Sequence, residues 1–513
     1  MTMQLKHYTF FLLLFTHFSL QAQEPQKADL APCGTAPKLD PWLEKFRANP
    51  QDFPEDSDDT LYVGVQIHLV GTNSGAGYFA NDRLLDAFCR LNQDFAGTGI
   101  QFYFKNAWNR INNSAWYQHD STVQGVQMMF QNNVPDVLNA YFMSNPAGNC
   151  GYNLPYAGVA MGHGCAGPND HTWAHEIGHA LGLPHPFIGW EGKVYNFNDP
   201  TPDTLTYDYT HFHSTPDTIV PAPLDTALVE YLDGSNCGIA ADKICDTKPD
   251  YLSYRWNCNA QGMSSVQQKD PTGATFFSDG SLFMSYANDV CQNRFSPDQI
   301  QIMRLKLQTD KSNWLAAEAQ GGPFTSQTEL LIPGPGSSVP ASGTLLQWTS
   351  SPGATHYVVQ VSRLNTFAFK ELDVVVTDTF AFSPALLPNI SYYWRVRPFN
   401  SSFTCTEFTP NVKFTPVTSS VSDAGNAGWM IYPTLLQAGQ NLVVEMPEKW
   451  VNEPLNCQVF NAAGRLVWQG ERQFTGKKET LDLSSQSWAP GIYYFVCTGR
   501  PGIVRQSLSI LGY

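Results

Sequence analysis

From residue 60 the chain reads TLYVGVQIHLVG, with Leu61, Val63, Val65, Ile67 and Leu69 at every second position. This period of two predicts a β-strand with one apolar face. At residues 82–95 the period changes: Leu84, Leu85, Phe88, Leu91 and Phe95 recur at helical spacing and predict an amphipathic helix. IQFYF, from Ile100, and VLNAYFM, from Val137, predict further strands. Ser296-Pro297-Asp298-Gln299 opens a second helix, with Ser as N-cap, Pro at the first helical position and Gln three residues after the cap. Ile300, Met303, Leu305 and Leu307 continue it. Strands alternating with helices predict a layered α/β (α+β) domain over residues 60–320.

After Gly321-Gly322-Pro323 the helical period disappears. Short alternating segments (GTLLQWTS, THYVVQVS, DVVVTDTFAFS, SYYWRVRPFN) follow one another, separated by turn residues, and predict an all-β sandwich over 326–416. A Ser/Gly/Asn-rich linker, 417–428, leads to a last all-β unit over 429–513. Ahead of the first strand, residues 23–59 are Pro-rich and acidic, with one helix-like piece from Trp42 to Arg47; they form a pro-segment or linker. Residues 189–236 are irregular and rich in Asp, Pro and Thr. A chain of 513 residues accommodates this multidomain plan.

The chain carries 45 acidic and 30 basic residues, a net charge of −15, which argues against nucleic acid or an anionic membrane as partner. Lys6 and His7, the apolar run from Phe10 to Phe15 and the exit Ser19-Leu20-Gln21-Ala22 have the pattern of a secretory signal peptide, residues 1–22. A membrane anchor is the alternative, but the apolar run is shorter than the roughly 20 residues of a span. No later segment is apolar enough to cross a bilayer. Eleven cysteines suit an exported protein with disulfides, and the odd number leaves at least one without an intrachain partner.

The chemistry concentrates in HTWAHEIGHALGLPHPF, residues 171–187. On a helix His175 and His179 share a face one turn apart and can hold one metal ion. Glu176 lies beside the first histidine, placed to reach a metal-bound water. Gly182 can take the left-handed conformation that ends a helix, and Pro184 prevents the helix from resuming. The chain then brings His185 round as a third imidazole. Three neutral imidazoles suit Zn²⁺, with water in the fourth position. Zinc lowers the pKa of that water and Glu176 can take its proton, which is peptide hydrolysis without a covalent intermediate.

The full pattern HExxHxxGxxH is that of the metzincin metallopeptidases, which this region resembles. Within them it is most similar to the pappalysin (cytophagalysin) family, through HEIGHALGLPHPF, DKICDTKPDY and MSYANDVCQNRFSPDQIQIMR, over residues 60–315. The resemblance implies a methionine turn with Met284 as hydrophobic floor and Tyr286 as donor to the oxyanion of the transition state. It implies that Cys33, in PCGT, holds the open zinc position in a latent form; the alternative is a disulfide-bonded or inert cysteine. It also implies a calcium loop at Asp242, Asp246 and Thr247, the alternative being a solvated loop. Cys237, Cys245, Cys258 and Cys291 allow three pairings; family likeness favours Cys237 with Cys258 and Cys245 with Cys291, a structural zinc site being the alternative. Cys150 and Cys165 are candidates for another bridge. The sequence departs from the family at Leu282, at Ser285 and in the 99 positions separating His185 from Met284.

Two further resemblances concern the β-units. Trp348, Tyr357 and YYWRVRPF make the first similar to a fibronectin type III module. IYPTLLQAGQNLVV, Asn461-Ala462-Ala463-Gly464-Arg465 and Pro490-Gly491-Ile492-Tyr493 make the second resemble the C-terminal sorting domain of the type IX (Por) secretion pathway, a further adhesion-type sandwich being the alternative. The expected protein is a secreted zinc endopeptidase acting on proteins or peptides, with the secretion machinery as partner. A surface adhesin with an inactive protease-like domain, or a non-peptide zinc hydrolase, are the rival classes.

Overall fold

The computed structural model describes residue 27 and residues 30–510, apart from 58, 156, 208–224, 342, 418–427, 434, 437–439, 462–464, 484–487, 489–490 and 501. The expected signal segment, most of the linker, the centre of the Asn461–Arg465 turn and Pro490 lie outside the described residues. Among those described, no helix is long and apolar enough to cross a membrane.

The N-terminal half is built on one seven-stranded sheet. Its strands are β1 (Leu61–Gly71), β2 (Ile100–Phe104), β3 (Asn109–Asn112), β4 (Leu138–Met143), β5 (Gly151–Leu154), β6 (Gly158–Gly162) and β7 (Leu315–Ala316). The order is β7-β1-β4-β6-β5, with β2 and β3 also paired to β1. β5 is the edge strand and runs antiparallel to β6, whereas β1, β2, β3, β4 and β6 are mutually parallel.

The expected alternation in β1 holds on one face only in a modified sense, because both faces are buried. Val63, Val65, Ile67 and Leu69 enter the main core. On the opposite face Gln66 and His68 are buried too, and their polar atoms are satisfied: Gln66 Nε2 donates to Ala107 O at 3.0 Å, and His68 Nε2 lies 2.9 Å from Asn139 Oδ1. A mostly parallel sheet covered on both sides requires this.

Five helices matter for the site: α1 (Pro41–Ala48), α2 (Asn81–Asp94), α3 (Thr122–Asn132), α4 (Thr172–Ala180) and α5 (Pro297–Thr309). α2 presents Leu84, Leu85, Phe88 and Leu91 to the main core, and α4 adds Trp173, Ala174 and Ile177. α5 begins in the expected capping box, Ser296 Oγ accepting from Gln299 N at 3.2 Å and Gln299 Oε1 from Ser296 N at 2.9 Å. α1 forms where the helix-like piece was expected, but its Leu43 and Phe46 belong to the same core as β1.

A second core includes Cys33, Phe187 and Tyr286. The irregular stretch supplies much of it through Trp190, Tyr195, Leu205 and Val229, packed with Tyr251, Trp256 and Phe276. Thr204–Tyr207 and Asp225–Leu228 pair as two antiparallel strands there.

The disulfides correct the expected pairing. Cys237 joins Cys245 and Cys258 joins Cys291, rather than Cys237–Cys258 and Cys245–Cys291. Trp256 N donates to Tyr286 O and Asn288 N to Trp256 O, so the 256–258 segment runs beside 286–291 and delivers Cys258 to Cys291. Cys237 and Cys245 close their own short loop, eight residues apart. Cys150–Cys165 forms, and Cys89–Cys405 and Cys457–Cys497 complete five bridges. Cys33 is left as the free, buried cysteine.

The C-terminal half contains two sandwiches, each of a three-stranded and a five-stranded sheet. Trp348, Tyr357 and Trp394 fill the first; Trp450, Leu455 and Phe495 fill the second. The first is fastened to α2. Cys89–Cys405 crosses the junction, Arg397 reaches Asp86 at 2.7 Å and Lys370 reaches Asp82 at 2.9 Å. Val358 and Phe399 of the sandwich join the main core itself.

Candidate metal centre

α4 holds His175, Glu176 and His179 on one turn and ends at the predicted place. Leu183 N donates to Gly178 O at 2.9 Å and Gly182 N to His179 O at 3.0 Å, with Gly182 at φ +94°. This paired bonding is a Schellman ending, which needs a left-handed residue. The reversed chain carries His185 back over the helix.

The three Nε2 atoms converge at 3.0, 3.1 and 3.2 Å from one another. Each Nδ1 is held from behind: His175 by Phe283 O at 2.7 Å, His179 by Leu183 O at 2.7 Å and His185 by Glu191 Oε1 at 3.3 Å. A proton on each Nδ1 leaves three Nε2 lone pairs facing one point. Burial lowers the basicity of all three, His175 to about 4, so the imidazoles stay neutral. Three lone pairs at such separations repel unless a cation lies between them. Tetrahedral zinc sets nitrogen–nitrogen separations of about 3.3 Å, and sulfur–nitrogen separations of about 3.6 Å. Cys33 Sγ stands 3.6 Å from His179 Nε2. Among the described residues, Cys33, His175, His179 and His185 are the group whose ligand atoms gather within 4.8 Å. The donor set therefore fits zinc.

Glu176 is fully buried beside this point. Burial raises its carboxyl to about 8, against the hydrogen bonds from Thr35 and Cys33 that lower it; a cation at the imidazoles would draw it down again. Its Oε2 accepts from Thr35 Oγ1 at 2.9 Å. Edge strand β5 makes room for it at Gly151, where a Cβ would come within 2.8 Å of Glu176 Cγ. Burial and the Glu176 carboxylate push the Cys33 thiol well above its usual value, so a cation is needed to make it a thiolate.

The methionine turn passes under α4. Met284 is wholly buried, and a Cβ on Gly178 would meet its Sδ at 2.4 Å, so Gly178 lets the sulfur lie directly against the helix between the two histidines. Tyr286 packs its ring 4.9 Å from that of His185, and its hydroxyl donates to Cys33 O at 3.4 Å.

Residues 30–35 lie across the imidazoles as a strap. Ala31 bridges Asn149 in parallel sense, and Gly34 N donates to Gly151 O at 2.8 Å on the exposed edge of β5. Thr35 Oγ1 also accepts from Asn153 N at 2.7 Å. Lys27 Nζ sits between Asp170 and Asp289.

Of the expected calcium loop, Asp242 and Thr247 are in direct contact, Thr247 Oγ1 lying 3.0 Å from Asp242 Oδ2. Asp242 also accepts from Ile244 N, whereas Asp246 turns to the start of α5, accepting from Ser296 Oγ at 2.6 Å and Asp298 N at 2.8 Å. Glu191, Thr35, Gly178 and Gly151 were not singled out from the sequence. Thr35 and Gly178 lie inside the quoted motifs PCGT and HEIGHALGLPHPF, and Glu191 stands as a lone charge in the apolar run PFIGWEG.

No family model matches the chain. Among curated proteins it is 23% identical over 291 residues to an extracellular metalloprotease of Arthroderma benhamiae, spanning 53% of this chain and 80% of the relative. An extracellular metalloprotease of Pyricularia oryzae is 28% identical over 162 residues, 28% of this chain and 56% of the relative. Among solved structures, a promirolysin mutant from Tannerella forsythia aligns over 55% of this chain and 95% of its own, at 16% identity and a TM-score of 0.36. A fibronectin type III domain of human collagen alpha-1(XX) aligns over 21% of this chain and 100% of its own, at 23% identity and a TM-score of 0.16.

Proposed function

We propose that this chain is an exported zinc-dependent endopeptidase of pappalysin-like type, drawn here in its latent arrangement. The observation that carries the reading is the convergence of three neutral imidazoles within 3.2 Å, each fixed from behind, beside a buried glutamate. The likeness to extracellular metalloproteases supports it.

His175, His179 and His185 would hold the zinc, which when bound supplies a Lewis acid that polarises the scissile carbonyl and acidifies water. Glu176 takes the proton from the attacking water at a carboxylate oxygen and delivers it to the leaving amine nitrogen. Tyr286, whose hydroxyl meets a backbone carbonyl of the strap, is suited to donate to the carbonyl oxygen of a substrate as negative charge grows there. In the latent arrangement Cys33 would be the fourth ligand, and Thr35 engages one of the two carboxylate oxygens of Glu176. We read residues 429–513 as the signal for type IX export, on the strength of their sequence resemblance alone.

The test is cleavage of a peptide library, read by mass spectrometry, by the activated protein and its Glu176→Ala variant, with and without a zinc chelator. Loss of the general base should lower the rate by about 10²–10⁴-fold, and chelation should abolish it. If zinc binds and neither protein cuts any peptide, the site belongs to a non-peptide hydrolase or to an inactive adhesin.

A further inference from the structure

We infer that the segment removed on maturation ends within 36–39, where Ala36 and Lys38 are exposed, and that α1 and residues up to β1 remain part of the mature protein. The inference rests on the zymogen reading above and places its processing site.

The chain before β1 divides into two parts with different attachments. The strap through Thr35 is held by the cleft: Cys33, Gly34 and Thr35 are buried against α4 and β5. From Asp40 onward the attachments are to the body of the domain. Leu43 and Phe46 are core residues, and Trp42, Phe46 and Phe53 form an aromatic cluster with ring centroids 5.2–5.5 Å apart. Trp42 Nε1 donates to Thr309 Oγ1 at 3.0 Å.

Two buried cations on α5 make the division decisive. Arg304, 5% exposed, binds Asp56 Oδ2 at 2.8 Å and the carbonyls of Ser57 and Asp59. Lys306, 3% exposed, pairs with Asp40, which also caps α1 by accepting from Trp42 N. Both carboxylate partners lie ahead of β1. A cut at the start of β1 would leave two buried cations without them and uncover the faces of Leu43 and Phe46, a combination that folded domains do not sustain cheaply.

Between these two attachments exposed and covered residues alternate, Pro37 being buried and Leu39 packing against the main core. Ala36 and Lys38 are exposed, Lys38 N closes a tight turn onto Ala36 O at 2.8 Å, and residues 35–41 border a cavity of about 700 Å³ that reaches His179 and His185. A peptidase can take hold of this stretch. Water adds across one peptide bond, leaving a carboxylate on the strap side and an amine on the α1 side. The strap then holds the cleft only by its own contacts.

The test uses the full precursor carrying Glu176→Ala, so that it cannot process itself, with trypsin as the probe. The first N-terminal cut should fall after Lys38 and leave residues from 39 onward as one folded species, although Lys45 lies exposed in α1. The N-terminus of the protein secreted by its own host should lie within 37–40. A chain beginning at Leu39 should keep the precursor's melting temperature within a few degrees, whereas one beginning at Thr60 should melt more than about 10 °C lower. A secreted N-terminus beyond residue 48, a first cut at Lys45 or Arg47, or equal melting of the two truncated chains would overturn the inference. Masses and melting points do not depend on catalysis, so a chain from Leu39 that is stable but cuts nothing would count against the peptidase reading alone.

Discussion

At the scale of single residues, the site is a set of side chains each held by a second group. His175 and His179 are oriented by backbone carbonyls, but His185 depends on a side chain, Glu191, which is itself buried and anchored by Gly189 N at 2.6 Å. Glu191→Ala should weaken zinc binding roughly 10–100-fold, measured by chelator competition, and Glu191→Gln should restore much of it because an amide oxygen still accepts from Nδ1. Equal affinity in all three proteins would remove Glu191 from the site. The strap acts on two different residues. Cys33→Ala should make an uncleaved precursor active, with its mass verified after the assay. Thr35→Val keeps the thiol but frees Glu176 Oε2, and should raise basal activity by a smaller factor. Continued latency of uncleaved Cys33→Ala precursor would sink the cysteine's assignment. The histidines and Glu176 were legible in the sequence because their spacing is set by one helical turn. Glu191 and Thr35 were not, since they reach their partners through loops whose path no local period encodes.

At the scale of elements, the same contrast recurs. The capping box of α5 and the apolar face of α2 followed directly from spacing within one segment. The pairing of Cys258 with Cys291 did not, because it is decided by two strands of chain, 256–258 and 286–291, that lie side by side only after folding. The contact between α4 and the methionine turn is of this second kind. Gly178→Ala places a methyl group 2.4 Å from the Sδ of the buried Met284, and should cost about 1–3 kcal/mol in unfolding free energy. Shortening the opposing side chain, as Gly178→Ala with Met284→Val, should recover part of that. If the single variant melts with the parent protein, the close packing does not matter to stability.

For the whole molecule, the first sandwich is part of the body that carries the site. Its Val358 and Phe399 share the main core, Arg397 and Lys370 pair with carboxylates of α2, and a disulfide spans 316 positions of sequence to join them. The sequence announced a change of architecture after Gly321, but a junction made by groups so far apart in the chain leaves no local pattern. Replacing both Cys89 and Cys405 by Ala should cost about 2–4 kcal/mol, seen as faster amide exchange along α2, which also packs against α4. Unchanged exchange would mean that the ionic and aromatic contacts hold the junction unaided.

The strap lies along the open edge of β5, with Gly34 N donating to Gly151 O, Ala31 O accepting from Cys150 N and Thr35 Oγ1 accepting from Asn153 N. Once it departs, Cys150 N, Gly151 O and Asn153 N are left unfilled on that edge, beside Glu176. Any successor must arrive as an extended strand, because a helix or the interior of a sheet has those same groups already engaged. Compact, native proteins should therefore be poor prey. Turnover of a given target should follow how often several consecutive residues of it come loose, so heat, denaturant or reduction of the target would hasten its digestion before any preference for particular side chains is felt.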